Sequence, residues 1–155
     1  PLGNLTSQFF ANVYLNELDY FVKHELKAKY YIRYVDDFVI LHENNKNLGK
    51  YKEAINKFLI NKLKIELHPD KSKIIELKKG VNFLGYKVFY YHKLLRKANK
   101  RKFYRKFNQK LELHKNGSIG CEDFLQSLQG WFGYSMWANT YKLRENIMEI
   151  INNFK

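Results

Sequence analysis

The sequence predicts an α+β fold: an antiparallel sheet with packed helices over residues 1–91, followed by an all-α three-helix bundle over residues 92–155. Three observations predict it. Before residue 91, apolar residues switch between helical spacing and short aromatic, β-branched runs. After Tyr91 only helical periods remain. Positive charge concentrates at that change: residues 93–115 hold 10 Lys/Arg against one acid, Glu112, whereas residues 1–92 hold 15 against 10 and residues 116–155 hold 3 against 4. With 155 residues, 45% of them hydrophobic, the chain can bury one core, or one core plus a small helical appendage.

Each element follows from its own pattern. Asn4, Thr6 and Ser7 offer N-cap oxygens, and Phe10, Val13, Tyr14, Leu18, Phe21 and Val22 recur at helical spacing, which predicts a helix over 6–24. Tyr30 to Val35 is aromatic and β-branched, Phe38 to Leu41 is a short apolar run, and Asp36-Asp37 interrupts them; this predicts a hairpin with two carboxylates at its tip. After a polar loop, Tyr51, Ile55, Phe58, Leu59 and Leu63 predict a helix over 47–63. Strands are expected over 64–67 and 73–77, separated by a turn at His68-Pro69-Asp70, and Lys79-Gly80 turns the chain into a run over 81–89. Helices are expected over 99–114, from 121 to 129 or on to 137, and over 140–154, with Trp131, Phe132, Tyr134 and Trp137 in the core of this last part.

Composition narrows the functions. The net charge is +13, and one basic block of 23 residues on a folded domain favours a polyanion over a merely solvated helix face. The block has no amphipathic anchor of the kind that lies on a membrane, and no apolar run approaches spanning length. A single cysteine, Cys121, excludes an internal disulfide and fits a reducing compartment, so a cytoplasmic protein is expected. Aromatic residues make up 17% of the chain, which suits a surface that stacks on sugars and bases and equally suits a genome of biased composition. Because the chain opens at Pro1 without a Met, it reads as a piece of a longer protein.

The adjacent carboxylates carry the chemistry. Two like charges at a strand end repel, and a divalent cation removes that penalty. Hard oxygen donors on a tight turn suit Mg²⁺, which keeps waters and takes substrate phosphates as further ligands. Taken alone, the pair reads as a solvated Asp-Asp turn more readily than as a metal site. Its surroundings add to it. Tyr34-Val35-Asp36-Asp37 resembles the Tyr-x-Asp-Asp signature of reverse transcriptases. Leu2-Gly3-Asn4-Leu5-Thr6-Ser7-Gln8 resembles the Gly-x-x-x-Ser motif that opens the helix before that hairpin, and Phe83-Leu84-Gly85-Tyr86 resembles the primer grip. The three stand in the family's order. Most intron-encoded and retroviral enzymes carry Gln-Gly-x-x-x-Ser-Pro; Leu2 and Gln8 instead make the stretch look like the diversity-generating retroelement enzymes. A Val-Thr-Gly run that would suit a retron enzyme does not occur, and no maturase or endonuclease domain is expected after Lys155.

The resemblance implies a partial polymerase palm over 1–91 and a three-helix thumb over 92–155. It implies RNA-directed DNA synthesis from dNTPs on a template RNA with a cDNA primer, using two Mg²⁺ ions or Mn²⁺ in their place. Asp36 is the first expected metal ligand and Asp37 the second. A further aspartate and the fingers would precede Pro1, so no activity is expected of this chain by itself. Leu2, Gly3, Ser7, Gln8, Tyr34 and Lys71 are expected near the nucleotide and template: Gly3 allows close backbone approach, Leu2 replaces a polar contact, and Lys71 neutralises charge. Phe83, Leu84, Gly85 and Tyr86 would hold the primer, with Gly85 turning against its backbone. Arg96, Lys100, Arg101 and Arg105 would neutralise duplex phosphates; with Lys102 and Lys106 they cannot all share one helix face. A small basic accessory protein is implied as a partner, and a bacterium or phage as the source. The rivals are an intron- or retron-type enzyme and a non-catalytic RNA–DNA duplex-binding module.

Overall fold

The computed structural model describes residues 5–152, so the expectations for Leu2 and Gly3 lie outside the described residues. The chain divides into two compact units, residues 1–74 and 75–155.

In the first unit, helix α1 (Leu5–Tyr20) runs into a wide π-helical turn, Phe21–Glu25. A hairpin follows, β1 (Tyr30–Tyr34) against β2 (Asp37–Leu41), and then α2 (Asn45–Phe58) with its own π-helical turn, Leu59–Leu63. The Asn44 side chain caps α2 by accepting from the Lys46 amide at 2.8 Å, the role its residue type suits. Leu18, Val22, Ala28, Ile55, Leu59 and Leu63 form the buried core, and Tyr31, Phe38 and Ile40 pack on it from the hairpin. Phe21 stacks on Phe58 with ring centroids 4.3 Å apart. Helical spacing thus places α1 correctly, but Phe10, Val13 and Tyr14 are exposed and only the second half of the helix is buried.

The strands expected over 64–67 and 73–77 do not form. In the first run, and at Ser72 just before the second, backbone groups bond to α2 and its π-helical turn instead of in a ladder. The Ile65 amide donates to the Leu59 carbonyl at 3.2 Å, the Leu67 amide to Asn56 Oδ1 at 3.2 Å, and Lys52 Nζ donates to the Ser72 carbonyl at 2.5 Å. Alternating apolar residues become a strand only when a neighbouring strand takes their N–H and C=O groups.

The second unit contains a three-stranded antiparallel sheet, β3 (Val81–Phe83), β4 (Tyr86–Val88) and β5 (Lys93–Leu95), and helices α3 (Lys97–Lys115), α4 (Cys121–Met136) and α5 (Tyr141–Asn152). The run over 81–89 is a hairpin, not one strand, because Leu84 and Gly85 both adopt positive φ, 49° and 83°. Two consecutive left-handed residues make the type I′ turn that matches strand twist. Strand β5 corrects the expectation that strands end near 91 and that the last part is all-α; three residues are too few to show an alternation. The Arg96 amide donates to the Gly85 carbonyl and the Asn139 amide to the Lys93 carbonyl, at 3.2 and 2.8 Å, so this sheet folds with the helices.

The helices enclose Phe103, Phe107, Leu111, Phe124, Leu128, Ile147 and Ile151, with Trp131 and Phe132 packed against them. Trp137 is a correction: it is 70% exposed, not core. Helix α4 ends at Met136, and Trp137 lies one residue beyond, with Lys93 Nζ 5.6 Å from its ring centroid.

Candidate functional site

The hairpin register decides where the carboxylates sit. Tyr34 pairs with Asp37 in the last rung, which leaves Val35 and Asp36 as a two-residue turn. Alternation puts Tyr31, Arg33, Phe38 and Ile40 on one face, toward the core, and Tyr30, Ile32, Tyr34, Asp37 and Val39 on the other. Tyr34 is 60% exposed, and Asp37 is its cross-strand neighbour on the same face. Asp36 and Asp37 are both exposed, and among the described residues neither carboxylate has an ion-pair or hydrogen-bond partner. The structure therefore brings Asp36, Asp37 and Tyr34 together at one end of the hairpin.

The turn is strained. Val35 has φ 55°, a region that β-branched residues avoid at a cost of about 1–3 kcal/mol. Arg33 contributes the compensating contact. Its Nη1 donates to the Val35 carbonyl at 2.7 Å and to Asn12 Oδ1 at 3.0 Å. The same guanidinium forks onto Asp19, Nε to Oδ1 at 2.8 Å and Nη2 to Oδ2 at 2.5 Å, and the Tyr31 hydroxyl donates to Asp19 Oδ1 at 2.6 Å. Burial favours the neutral form of Asp19, but hydrogen bonds from Arg33 and Tyr31 and the guanidinium charge outweigh it and hold its carboxyl below the ordinary value. Burial, followed by the bond to Asp19, pushes the Tyr31 phenol well up, and the bond to Asp19 raises Arg33.

Sequence reasoning missed Asp19, Arg33 and Tyr31. The signal was available: Arg33 has the parity of Tyr31, so it lies on the packed face, where a cation requires a partner.

The donor set suits a hard cation. Two exposed carboxylates, unpaired with any cation among the described residues, offer oxygen ligands to a Mg²⁺ that keeps waters. Among the described residues no group of three or more His, Cys, Asp or Glu side chains is placed to hold a metal.

The remaining residues fall elsewhere. Ser7 and Gln8 are exposed in the first turns of α1, and Lys71 is exposed in the turn after Pro69. In the second unit, Phe83 and Tyr86 form the rung that closes the 83–86 hairpin, with Leu84 and Gly85 as its turn. The Gly85 requirement is internal as well as conformational, because a Cβ there would collide with the Tyr134 hydroxyl and the Asn99 amide. Asn99 Nδ2 donates to the Gly85 carbonyl at 3.2 Å and to the Tyr134 hydroxyl at 3.1 Å, and the Tyr86 hydroxyl donates to the Tyr134 carbonyl at 2.8 Å. Burial raises the Tyr86 phenol, with a smaller contribution from Tyr134.

Arg96, Lys100, Arg101 and Arg105 are exposed and, among the described residues, unpaired with any acid; Glu112 pairs instead with Lys115 at 3.2 Å. Lys102, Lys106 and Lys110 line a groove of about 510 Å³ between α3 and α4, with Trp131 and Tyr134 on its other wall. The structure thus splits the basic helix into a groove-lining row and an outward set. No helix among the described residues is long and apolar enough to cross a membrane.

Part of this sequence is similar to known proteins. Residues 1–88 match the family described as "Reverse transcriptase (RNA-dependent DNA polymerase)". The group II intron-encoded protein LtrA of Lactococcus lactis subsp. cremoris is 38% identical over 63 residues, 40% of this chain and 10% of that protein. The putative COX1/OXI3 intron 2 protein of Saccharomyces cerevisiae is 41% identical over 66 residues, 40% of this chain and 7% of that protein. The matched stretch thus spans a tenth or less of the length of these relatives.

Proposed function

This chain belongs to the reverse transcriptase (RNA-dependent DNA polymerase) family, and on that premise we propose that it supplies the carboxylate hairpin and the primer-side surface of an enzyme that copies RNA into DNA. The observation that carries the reading is the placement of Asp36 and Asp37: exposed at a hairpin tip, beside Tyr34, with no cation partner among the described residues. Asp36 and Asp37 would hold Mg²⁺, or Mn²⁺ in its place. When bound, a pair of such ions activates a primer 3′-hydroxyl and stabilises the departing pyrophosphate.

The chain's own residues would orient the reactants. Tyr34 lies on the face of Asp37 and would border the primer end. Leu2, Gly3, Ser7 and Gln8 would border the incoming dNTP and the template RNA, and Lys71 would neutralise phosphate charge. The hairpin of Phe83, Leu84, Gly85 and Tyr86 would seat the cDNA primer. Arg96, Lys100, Arg101 and Arg105 would neutralise duplex phosphates. In this reading residues 1–91 serve as part of the palm and 92–155 as the thumb, and a small basic protein is the accessory partner.

Both relatives named above are intron proteins, which supports an intron-type enzyme. The diversity-generating retroelement reading rests on Leu2 and Gln8. Intact, unpaired carboxylates favour an enzyme over a duplex-binding module without chemistry.

The test is Asp36→Asn in the full-length protein. Primer extension on an RNA template should be abolished while RNA–DNA duplex binding is retained. Extension at a near wild-type rate would remove Asp36 from the metal site.

A further inference from the structure

The carboxylate turn has a support outside the three motifs quoted above. Arg33 uses four donor contacts, and only one of them reaches the turn, at the Val35 carbonyl. That carbonyl belongs to the residue with φ 55°, immediately before Asp36. The other contacts fix the guanidinium to α1, through both oxygens of Asp19 and through Asn12. Arg33 is largely buried, with 10% of its side chain exposed, so its position is set by the fold and not by solvent.

The charge arrangement matters as much as the geometry. A free guanidinium three residues from a carboxylate pair would attract it and would repel a divalent cation. Arg33 instead forms a two-pronged pair with Asp19, the geometry in which arginine binds carboxylate most specifically. Its charge is cancelled where it sits, and Asp36 and Asp37 are left unpaired.

We infer that Arg33, clamped and neutralised by Asp19, is a positioning residue for the Asp36–Asp37 carboxylates: it holds the Val35 carbonyl so that the turn keeps its shape, and Asp19 keeps the guanidinium from competing with a divalent cation. The inference rests on the metal-binding reading of Asp36 and Asp37. It assigns two separable tasks. Arg33 supplies the hydrogen bond to the turn, and Asp19 removes the charge that this bond brings with it. Tyr31 donates to Asp19 and interacts more weakly with the Arg33 guanidinium, but makes no bond to the turn, so it belongs to the anchor.

The probe is Mn²⁺ by itself, titrated into the 155-residue chain. The readout is paramagnetic broadening of the Asp36 and Asp37 backbone amides, with the metal-free spectrum of each variant reporting that the hairpin is intact. Asp36→Asn should remove most of the broadening. Asp19→Asn leaves Arg33 charged beside the pair and should raise the half-saturating Mn²⁺ concentration by about fivefold. Arg33→Met should raise it too, by loosening the turn, and should shift the Val35 and Asp36 resonances. Arg33→Lys keeps the charge without the fork and should not restore binding. Tyr31→Phe should leave the titration where it is. In the full-length protein, the Mg²⁺ concentration that supports half-maximal primer extension should follow the same order.

Two results would overturn the inference while leaving the metal site standing: Asp36→Asn abolishes broadening but Asp19→Asn and Arg33→Met do not move the titration, or Tyr31→Phe shifts it as far as Asp19→Asn does. If Asp36→Asn leaves broadening unchanged, the metal reading fails and takes the inference with it.

Discussion

A cation on the packed face of a two-stranded hairpin must meet its counter-charge inside the fold, and Arg33 meets Asp19. This pair carries a pH dependence of stated sign. The Asp19 carboxyl lies below its ordinary value of 3.8, so its stabilisation is fully present above that value and is lost as pH falls through the lower folded value. The Tyr31 phenol lies above its ordinary value of 10.0, so its contribution is present below pH 10.0 and is lost only as pH rises further. Between those limits this cluster adds no slope. Asp19→Asn should lower stability at neutral pH by about 1–3 kcal/mol, the scale of charge-assisted hydrogen bonds, and should flatten the acid limb of the melting curve. Thermal melts of both proteins from neutral pH to below pH 4 would check it; parallel acid limbs would assign the pH dependence to other carboxylates. At Leu2 the expectation concerns fidelity. Apolar packing discriminates less sharply than a hydrogen bond, so Leu2→Gln in the full-length protein should reduce misincorporation, most visibly opposite template adenines. Sequencing of the cDNA reads the result. An unchanged error spectrum would take away the main support for the retroelement branch.

Elements are held by short networks rather than by length. The 83–86 hairpin has three residues in each strand, too few to be stable alone, and it leans on α3 and α4 through Asn99 and Tyr134. Gly85→Ala should destabilise the second unit by more than the usual 1 kcal/mol or so of a left-handed alanine, because the added methyl also meets Tyr134 and Asn99. Phe107 is 1% exposed in the middle of the helical core, and Phe107→Ala should cost about 3–5 kcal/mol. Both tryptophans, Trp131 and Trp137, lie in this unit, so their fluorescence during denaturant unfolding reports on it. A loss under 1 kcal/mol for Phe107→Ala would contradict the packing described. The carboxylate hairpin lies in the other unit.

At the scale of the whole molecule the charge is +13, and most of the excess lies on and beside α3. Such a surface binds polyanions by releasing condensed counterions, with a salt dependence set by the number of phosphates neutralised. Lys100→Ala combined with Arg101→Ala should weaken RNA–DNA duplex binding, reduce the log–log salt slope by up to about two units, and leave sequence preference unchanged. Processivity should fall more than the rate of single-nucleotide addition. A salt titration of duplex affinity, wild type beside the double variant, decides it; identical slopes would make these two residues a solvated face. The same titration on Lys102→Ala with Lys106→Ala would compare the groove-lining row with the outward set.

Much of this was written in local pattern. Helical spacing located α1, α2 and the three C-terminal helices, and the interruption of two apolar runs by Asp36-Asp37 located the hairpin, because periods of 3.6 and 2 are properties of the chain itself. The order of three short motifs pointed to the family that the matched residues 1–88 bear out. Other features depended on which groups met in space. Residues 64–67 alternate like a strand, yet the Ile65 and Leu67 amides went to the π-helical turn and to α2. Trp137 reads as core, yet it falls just past the end of α4 and faces solvent. Asp19 and Arg33 are ordinary charged residues in a sequence 28% charged, and only the packing of α1 against the hairpin made them a clamp on the carboxylate turn. Periodicity is fixed by covalent geometry, whereas pairing depends on which distant partner the fold delivers to each hydrogen-bonding group.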